Sequence, residues 1–277
     1  MSTAEHAWLP KTSCTEGCVR SGLGSPGHRV VEAVRSARRI TAATFLLTML
    51  PLLALPLPGQ LHVKRIYCRM VLLSLGVRIA LSGGPIRNLR GMLVVSNHVS
   101  WVDVFAVGAV LPGAFVARAD LIDWPAVGLA ARLANVIPIE RRNLRGLPGV
   151  VGTVVQRLRD GHTVVVFPEG TTYCGRDHGQ FRPALFQAAI DAARPVQPLR
   201  LSYFHRDGSP STVAAFLGED SLGASLKRTA RARRTIVSIE LGALQLPGTG
   251  RGELAARCEA AVRTGPRTAA KVGPHNG

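Results

Sequence analysis

The sequence predicts an α/β protein: a single domain with a largely parallel or mixed central sheet flanked by helices, preceded by an N-terminal apolar helical segment. Three observations carry this. From residue 92 onward, short apolar runs of strand length alternate with stretches of helical period, the signature of βα units. Residues 40–58, "ITAATFLLTMLPLLALPLP", hold no charge at all. The 277-residue chain is 47% hydrophobic and only 18% charged, enough to bury a full core with apolar surface left over.

In chain order, residues 1–28 are rich in Ser, Thr, Gly and Pro without periodicity and read as a flexible N-terminal tail. Their G-x-G-x-x-G at Gly22, Gly24 and Gly27 follows no strand and encloses Pro26, so it is not read as a dinucleotide site. Residues 29–84 form a basic, apolar, membrane-associating segment. A straight helix over 40–58 would span roughly 28 Å, close to a bilayer core, but Pro51, Pro56 and Pro58 argue against an unbroken span. Arg35, Arg38 and Arg39 flank it on one side, Lys64, Arg65 and Arg69 on the other. A second apolar stretch, "IYCRMVLLSLGVRIAL", follows, and the two read as a helical pair dipping into one leaflet, with a buried core hairpin as the alternative.

Residues 85–245 carry the α/β domain. "MLVVS", "AFVAR", "NVIPIE", "HTVVVF", "VQPLRLSY" and "TIVSIEL" have the length and apolar character of strands. Between them, "WVDVFAVGAVL", "PAVGLAARLA", "PGVVGTVVQRLRDG" and "PALFQAAIDAA" read as helices, the second opened by proline and the third closed by Gly161. Residues 246–277 are expected to form a C-terminal helix and loose tail. In such folds ligands bind beyond the carboxyl ends of the strands, and His98, Arg141 and Glu169 all fall at or just past strand ends.

The net charge of +17 calls for an anionic partner. Aromatic residues are only 5% and no stacking platform or RNA-binding signature is present, which argues against nucleic acid. An anionic membrane leaflet fits better, each nearby basic residue contributing about 1 kcal/mol. The expected location is the cell membrane, with the catalytic domain on the cytoplasmic side and a peripheral, re-entrant or single-anchor attachment. Five scattered cysteines point to a reducing compartment. Cys14 and Cys18 form a C-x3-C with no matching pair nearby, so no metal site is expected.

Two stretches carry chemistry. In "SNHVSWVDVF", residues 96–105, His98 could take a proton from a hydroxyl while Asp103 fixes its tautomer. Equally, Ser100-Trp101-Val102-Asp103 fits a capping box, with Asp103 merely closing a helix start. In "VVVFPEGTTYCG", residues 164–175, Gly170 permits close backbone approach, and Thr171 and Thr172 could donate to phosphate oxygens; a plain polar turn is the alternative.

Taken together, Asn97-His98 with Asp103, then Phe167-Pro168-Glu169-Gly170-Thr171, resemble the glycerolipid acyltransferase family, whose best-known members are the 1-acylglycerol-3-phosphate acyltransferases. "NVIPIERRN" looks like that family's middle motif, ending at Arg141, and "VQPLRL" is similar to its last, around Pro198. Many members carry arginine where Thr172 stands here. The resemblance implies a membrane-associated O-acyltransferase using acyl-CoA or acyl carrier protein and a lysophospholipid, with no cofactor or metal. His98 would be the general base and Asp103 its orienting partner. Asn97, Arg141, Glu169, Gly170, Thr171 and Thr172 would hold the acceptor, and Pro198 would shape the acyl side. No G-x-S-x-G elbow supports an acyl-serine, so direct transfer with both substrates bound is expected. The expected acceptor is 1-acylglycerol-3-phosphate. The alternatives are another lysolipid such as a lyso-aminolipid, or a non-catalytic basic membrane-binding module.

Overall fold

The computed structural model describes residues 10–20, 29–54, 59–86, 89–123, 128–129, 131–132, 134–140, 143–218 and 220–264. The glycine-rich match at 22–27 and Arg141 lie outside them, as does half of the helix expected over 125–134.

A seven-stranded sheet forms the centre, in the order β1-β7-β6-β2-β5-β3-β4. Its strands are β1 (Val77–Gly83), β2 (Leu93–Ser96), β3 (Ala114–Arg118), β4 (Ile137–Ile139), β5 (Val164–Val166), β6 (Val196–His205) and β7 (Thr235–Leu241). All neighbours pair in parallel except β6 and β7. The central strands are buried on both faces, which is why they read as unbroken apolar runs. Val94 and Val165 pack to one side, while Leu93, Val95, Val164 and Val166 pack to the other, as the two-residue period of a strand requires.

Helices cover both faces. On one side lie α2 (Arg29–Thr48), α3 (Gln60–Ser74), α4 (Val102–Gly108) and α7 (Leu222–Arg231). On the other are α5 (Leu147–Arg159), α6 (Phe186–Asp191) and α8 (Arg251–Arg263). A short α1 (Glu16–Arg20) belongs to the N-terminal arm, where Cys14 and Val19 are buried against the first face. The described part of the tail is therefore packed rather than loose.

The segment 66–81 is corrected in one respect. It is not a single apolar helix: α3 stops at Ser74, Gly76 turns at φ +76, and Val77–Gly83 becomes the edge strand β1, paired with β7. A side chain at Gly76 would collide with the Arg39 guanidinium, so glycine is required there. Arg39 itself donates to the carbonyls of Ala230 (3.0 Å), Ala232 (2.5 Å) and Arg233 (3.0 Å), and Arg35 donates to Arg231 (2.9 Å). These two arginines satisfy the last carbonyls of α7 instead of facing lipid. No helix among the described residues is long and apolar enough to cross a membrane.

Candidate active site

Register brings the two chemical stretches together. Val95 on β2 lies opposite Val166 on β5, and the strands run parallel. Counting three residues on from each reaches His98 and Glu169. The His98 backbone N–H donates to Glu169 Oε2 (2.7 Å), and the Tyr173 N–H donates to the His98 carbonyl (2.8 Å). The imidazole lies flat on Phe167, ring centroids 4.0 Å apart and planes 10° from parallel. β2 sits between β5 and β6, so its end opens at the point where the chain switches from one half of the sheet to the other.

Asp103 is fully buried in the first turn of α4. Its Oδ2 accepts from His98 Nδ1 (2.8 Å), Val99 N–H (2.7 Å) and Ser100 N–H (2.8 Å), and its Oδ1 accepts from the Tyr203 hydroxyl. The helix-capping and histidine-orienting readings are thus both realised by one carboxylate. Because Nδ1 donates its proton to Asp103, Nε2 is the nitrogen left with a lone pair. Tyr203 is the residue that sequence reasoning missed. The signal was present: Leu199, Leu201 and Tyr203 share one buried face of β6, and a buried phenol needs a partner for its hydroxyl.

Glu169 is almost fully buried, and burial pushes its carboxyl up to about 8, against the pull of two backbone donors, His98 and Gly179 (3.1 Å). It also lines a cavity of about 300 Å³ together with Tyr173, Phe181, Arg182 and, from the N-terminal arm, Pro10 and Lys11. Gly170 turns at φ +73, and a side chain there would meet Pro10 Cγ at 2.8 Å.

The remaining expected residues divide. The Asn97 amide is engaged by the sheet: it donates to the Leu201 carbonyl (2.9 Å) and accepts from the Leu201 N–H (2.8 Å), tying the end of β2 to β6. Thr172 donates to the Phe216 carbonyl, and Thr171 is half-buried beside it. Pro198, buried on β6, stands opposite Val95. The cluster brought together is His98, Asp103, Phe167, Glu169 and Tyr203. It offers a hydroxyl a nitrogen base whose other nitrogen is anchored on a buried carboxylate, the arrangement used for general-base activation of a nucleophile.

The chain is similar to known proteins. A family model described as Acyltransferase matches residues 78–202. The lyso-ornithine lipid O-acyltransferase of Pseudomonas aeruginosa is 34% identical over 207 residues, which cover 74% of this chain and 79% of the relative. The 1-acyl-sn-glycerol-3-phosphate acyltransferase of Neisseria meningitidis serogroup B is 35% identical over 140 residues, 50% of this chain and 55% of the relative. The crystal structure of the 1-acyl-sn-glycerophosphate acyltransferase PlsC from Thermotoga maritima matches with a TM-score of 0.60, covering 84% of this chain and 95% of that one. Identity to it is 18%, so the likeness speaks to the fold alone.

Proposed function

Because the chain belongs to the 1-acylglycerol-3-phosphate acyltransferase family, and is an acyltransferase of lipid metabolism, we propose that it moves a fatty acyl group from a thioester donor to the hydroxyl of a lyso-aminolipid of the lyso-ornithine lipid kind. The observation that carries the chemistry is His98, anchored on buried Asp103 at 2.8 Å and stacked on Phe167 beside the Glu169 turn. His98 Nε2 removes the acceptor's hydroxyl proton as the oxygen attacks the thioester carbonyl. The C–O bond forms, the C–S bond breaks, and the proton passes from the imidazolium to the departing thiolate. Asp103 stabilises the imidazolium, and Glu169 holds the histidine backbone. Arg141 and Thr171 are assigned to the acceptor side. The donor is acyl-CoA or acyl carrier protein.

The choice of acceptor rests on coverage and on one position. The lyso-ornithine lipid relative matches 74% of this chain, against 50% for the N. meningitidis relative. Thr172, engaged by Phe216, supplies no guanidinium for a phosphate. The second reading, 1-acylglycerol-3-phosphate as acceptor, is favoured by the 35% identity to the Neisseria protein. Purified protein offered labelled acyl-CoA with each lysolipid in turn separates the two. Preference for lyso-ornithine lipid by about tenfold or more is expected, equivalent to about 1.4 kcal/mol of transition-state discrimination. Equal or reversed preference overturns the assignment. His98→Ala should lower turnover about 10²–10⁴-fold with either acceptor.

Both substrates are amphipathic, so the enzyme works at a bilayer surface, on the cytoplasmic face of the cell membrane. Exposed apolar side chains on α2 and α3 support this: Val34 (63%), Phe45 (62%), Ile66 (44%) and Leu73 (60%) all face outward. Exposed Arg38 and Arg69 lie on the same two helices, suited to anionic headgroups.

A further inference from the structure

We propose that Cys14, Cys18 and Cys174 form a thiolate site for a zinc-class cation, which fastens the N-terminal arm to the loop carrying the Glu169 turn. The three Sγ atoms lie within 4.8 Å of one another. Zinc–sulfur bonds of about 2.3 Å set tetrahedral sulfur–sulfur edges of about 3.8 Å, so small side-chain rotations suffice. A soft cation engages all three sulfurs, whereas a disulfide engages two.

Local structure builds the site from two directions. Cys14 and Cys18 are four residues apart, one just before α1 and one within it, and the Cys18 N–H donates to the Thr15 carbonyl (3.0 Å) in the turn between them. Cys174 arrives from 160 residues away, its own N–H donating to Cys14 Sγ (3.2 Å). After Cys174 the chain turns through Gly175 at φ +84. Cys14 and Cys174 are buried and Cys18 is half-buried. Binding displaces the thiol protons to solvent.

The consequence is mechanical. The arm already touches the site through Tyr173, whose hydroxyl donates to the Lys11 carbonyl (3.0 Å), and through Thr212, which donates to the Cys18 carbonyl (2.8 Å). Cys174 directly follows Tyr173, the residue bonded to His98. A bound cation would therefore hold the arm over the Glu169 cavity. The site stands independently of the acyl acceptor, and its test needs no activity.

Full-length protein, reduced and stripped by a chelator, is titrated with Co²⁺ and then Zn²⁺. One equivalent of Co²⁺ with a sulfur-to-metal charge-transfer band is expected, displaced by one equivalent of Zn²⁺. Cys14→Ser, Cys18→Ser and Cys174→Ser should each weaken binding at least about 100-fold, since loss of an outer-shell partner alone costs about 10–100-fold. Cys68→Ser and Cys258→Ser should bind as the wild type does. In the unmutated protein, Zn²⁺ should also slow alkylation of Cys18, a readout that survives if a variant fails to fold. The proposal is overturned by absence of the band, by its survival in Cys14→Ser, by unchanged Cys18 labelling, or by a Cys14–Cys174 disulfide in the freshly purified protein.

Discussion

Replacing Asp103 with asparagine separates the charge of this group from its shape. The carboxylate is fully buried and takes three N–H donors on one oxygen and the Tyr203 hydroxyl on the other. Asparagine fits the same space. Its carbonyl oxygen can keep the three N–H donors, and the Tyr203 hydroxyl can turn from donor to acceptor for the new amide. The four contacts are kept while the charge is lost, and the Tyr203 O–H and one amide N–H are left without partners. Charge-assisted bonds contribute about 1.5–3 kcal/mol and neutral ones about 0.5–1.5, so each of the four weakens by about 1–1.5 kcal/mol, about 4–6 kcal/mol in all, against the roughly 5–15 kcal/mol that holds a typical domain together. The effect on turnover is read separately. An imidazolium and a carboxylate with charge centres about 4 Å apart attract by about 4 kcal/mol at an effective dielectric near 20. That is about three powers of ten in kcat. Initial rates of labelled acyl transfer measure it, with circular dichroism and a urea midpoint to confirm folding. A folded Asp103→Asn protein within about tenfold of wild-type turnover would refute the pairing as catalytic. Asp103→Ala is the poorer test, because it strands buried N–H groups at about 1–3 kcal/mol each.

Three further outcomes follow from the geometry. Glu169 has a folded-state value near 8, against an ordinary value of 4.5, so the folded chain holds that proton more tightly than the unfolded one. Its contribution to stability is present at low pH and is lost as pH rises from about 4.5 through about 8. The urea midpoint of the wild type should therefore fall between pH 5 and 8 more steeply than that of Glu169→Gln, and equal slopes would remove the buried acid from the account. Thr172→Arg should shift preference toward 1-acylglycerol-3-phosphate by about tenfold, a charge-assisted phosphate contact being worth about 1.5–3 kcal/mol; unchanged kcat/KM ratios in the acceptor panel would show that position 172 does not meet the headgroup. Phe45→Glu combined with Ile66→Glu should abolish sedimentation with anionic vesicles while leaving the thermal midpoint nearly unchanged, since both side chains are exposed. Full sedimentation of the double variant would move the membrane face elsewhere.

How much of this was written in the sequence depended on the range of the interactions. β3 and β7 have the bounds their apolar runs predict, because short strands between turn residues announce both ends. β1 was hidden inside "VLLSLGVRIAL", where a buried strand and a buried helix are equally apolar and periodicity cannot separate them. Only Gly76, at positive φ, marks the break, and the space beside it is filled by Arg39, 37 positions earlier in the chain. Arg35 and Arg39 misled for the same reason. As a basic flank they suggest lipid, but their partners are carbonyls at the end of a helix almost two hundred residues on.

The candidate site was legible because its parts are local or set by register. His98 and Asp103 are five residues apart, close enough for a loop and one helical turn to bring them together. Glu169 needed only the pairing of β2 with β5, which two adjacent all-apolar strands make natural. Tyr203 and the N-terminal arm needed more: a third strand laid beside β2, and a chain end folded back onto the loop after β5. The His98–Asp103 pair is thus fixed by short-range geometry, while the walls of the Glu169 cavity come from distant segments. Chemistry at such a site should be the more readable property and acceptor choice the less. The same contrast appears among the relatives: both share the acyltransferase chemistry, and they differ in the lysolipid they are named for.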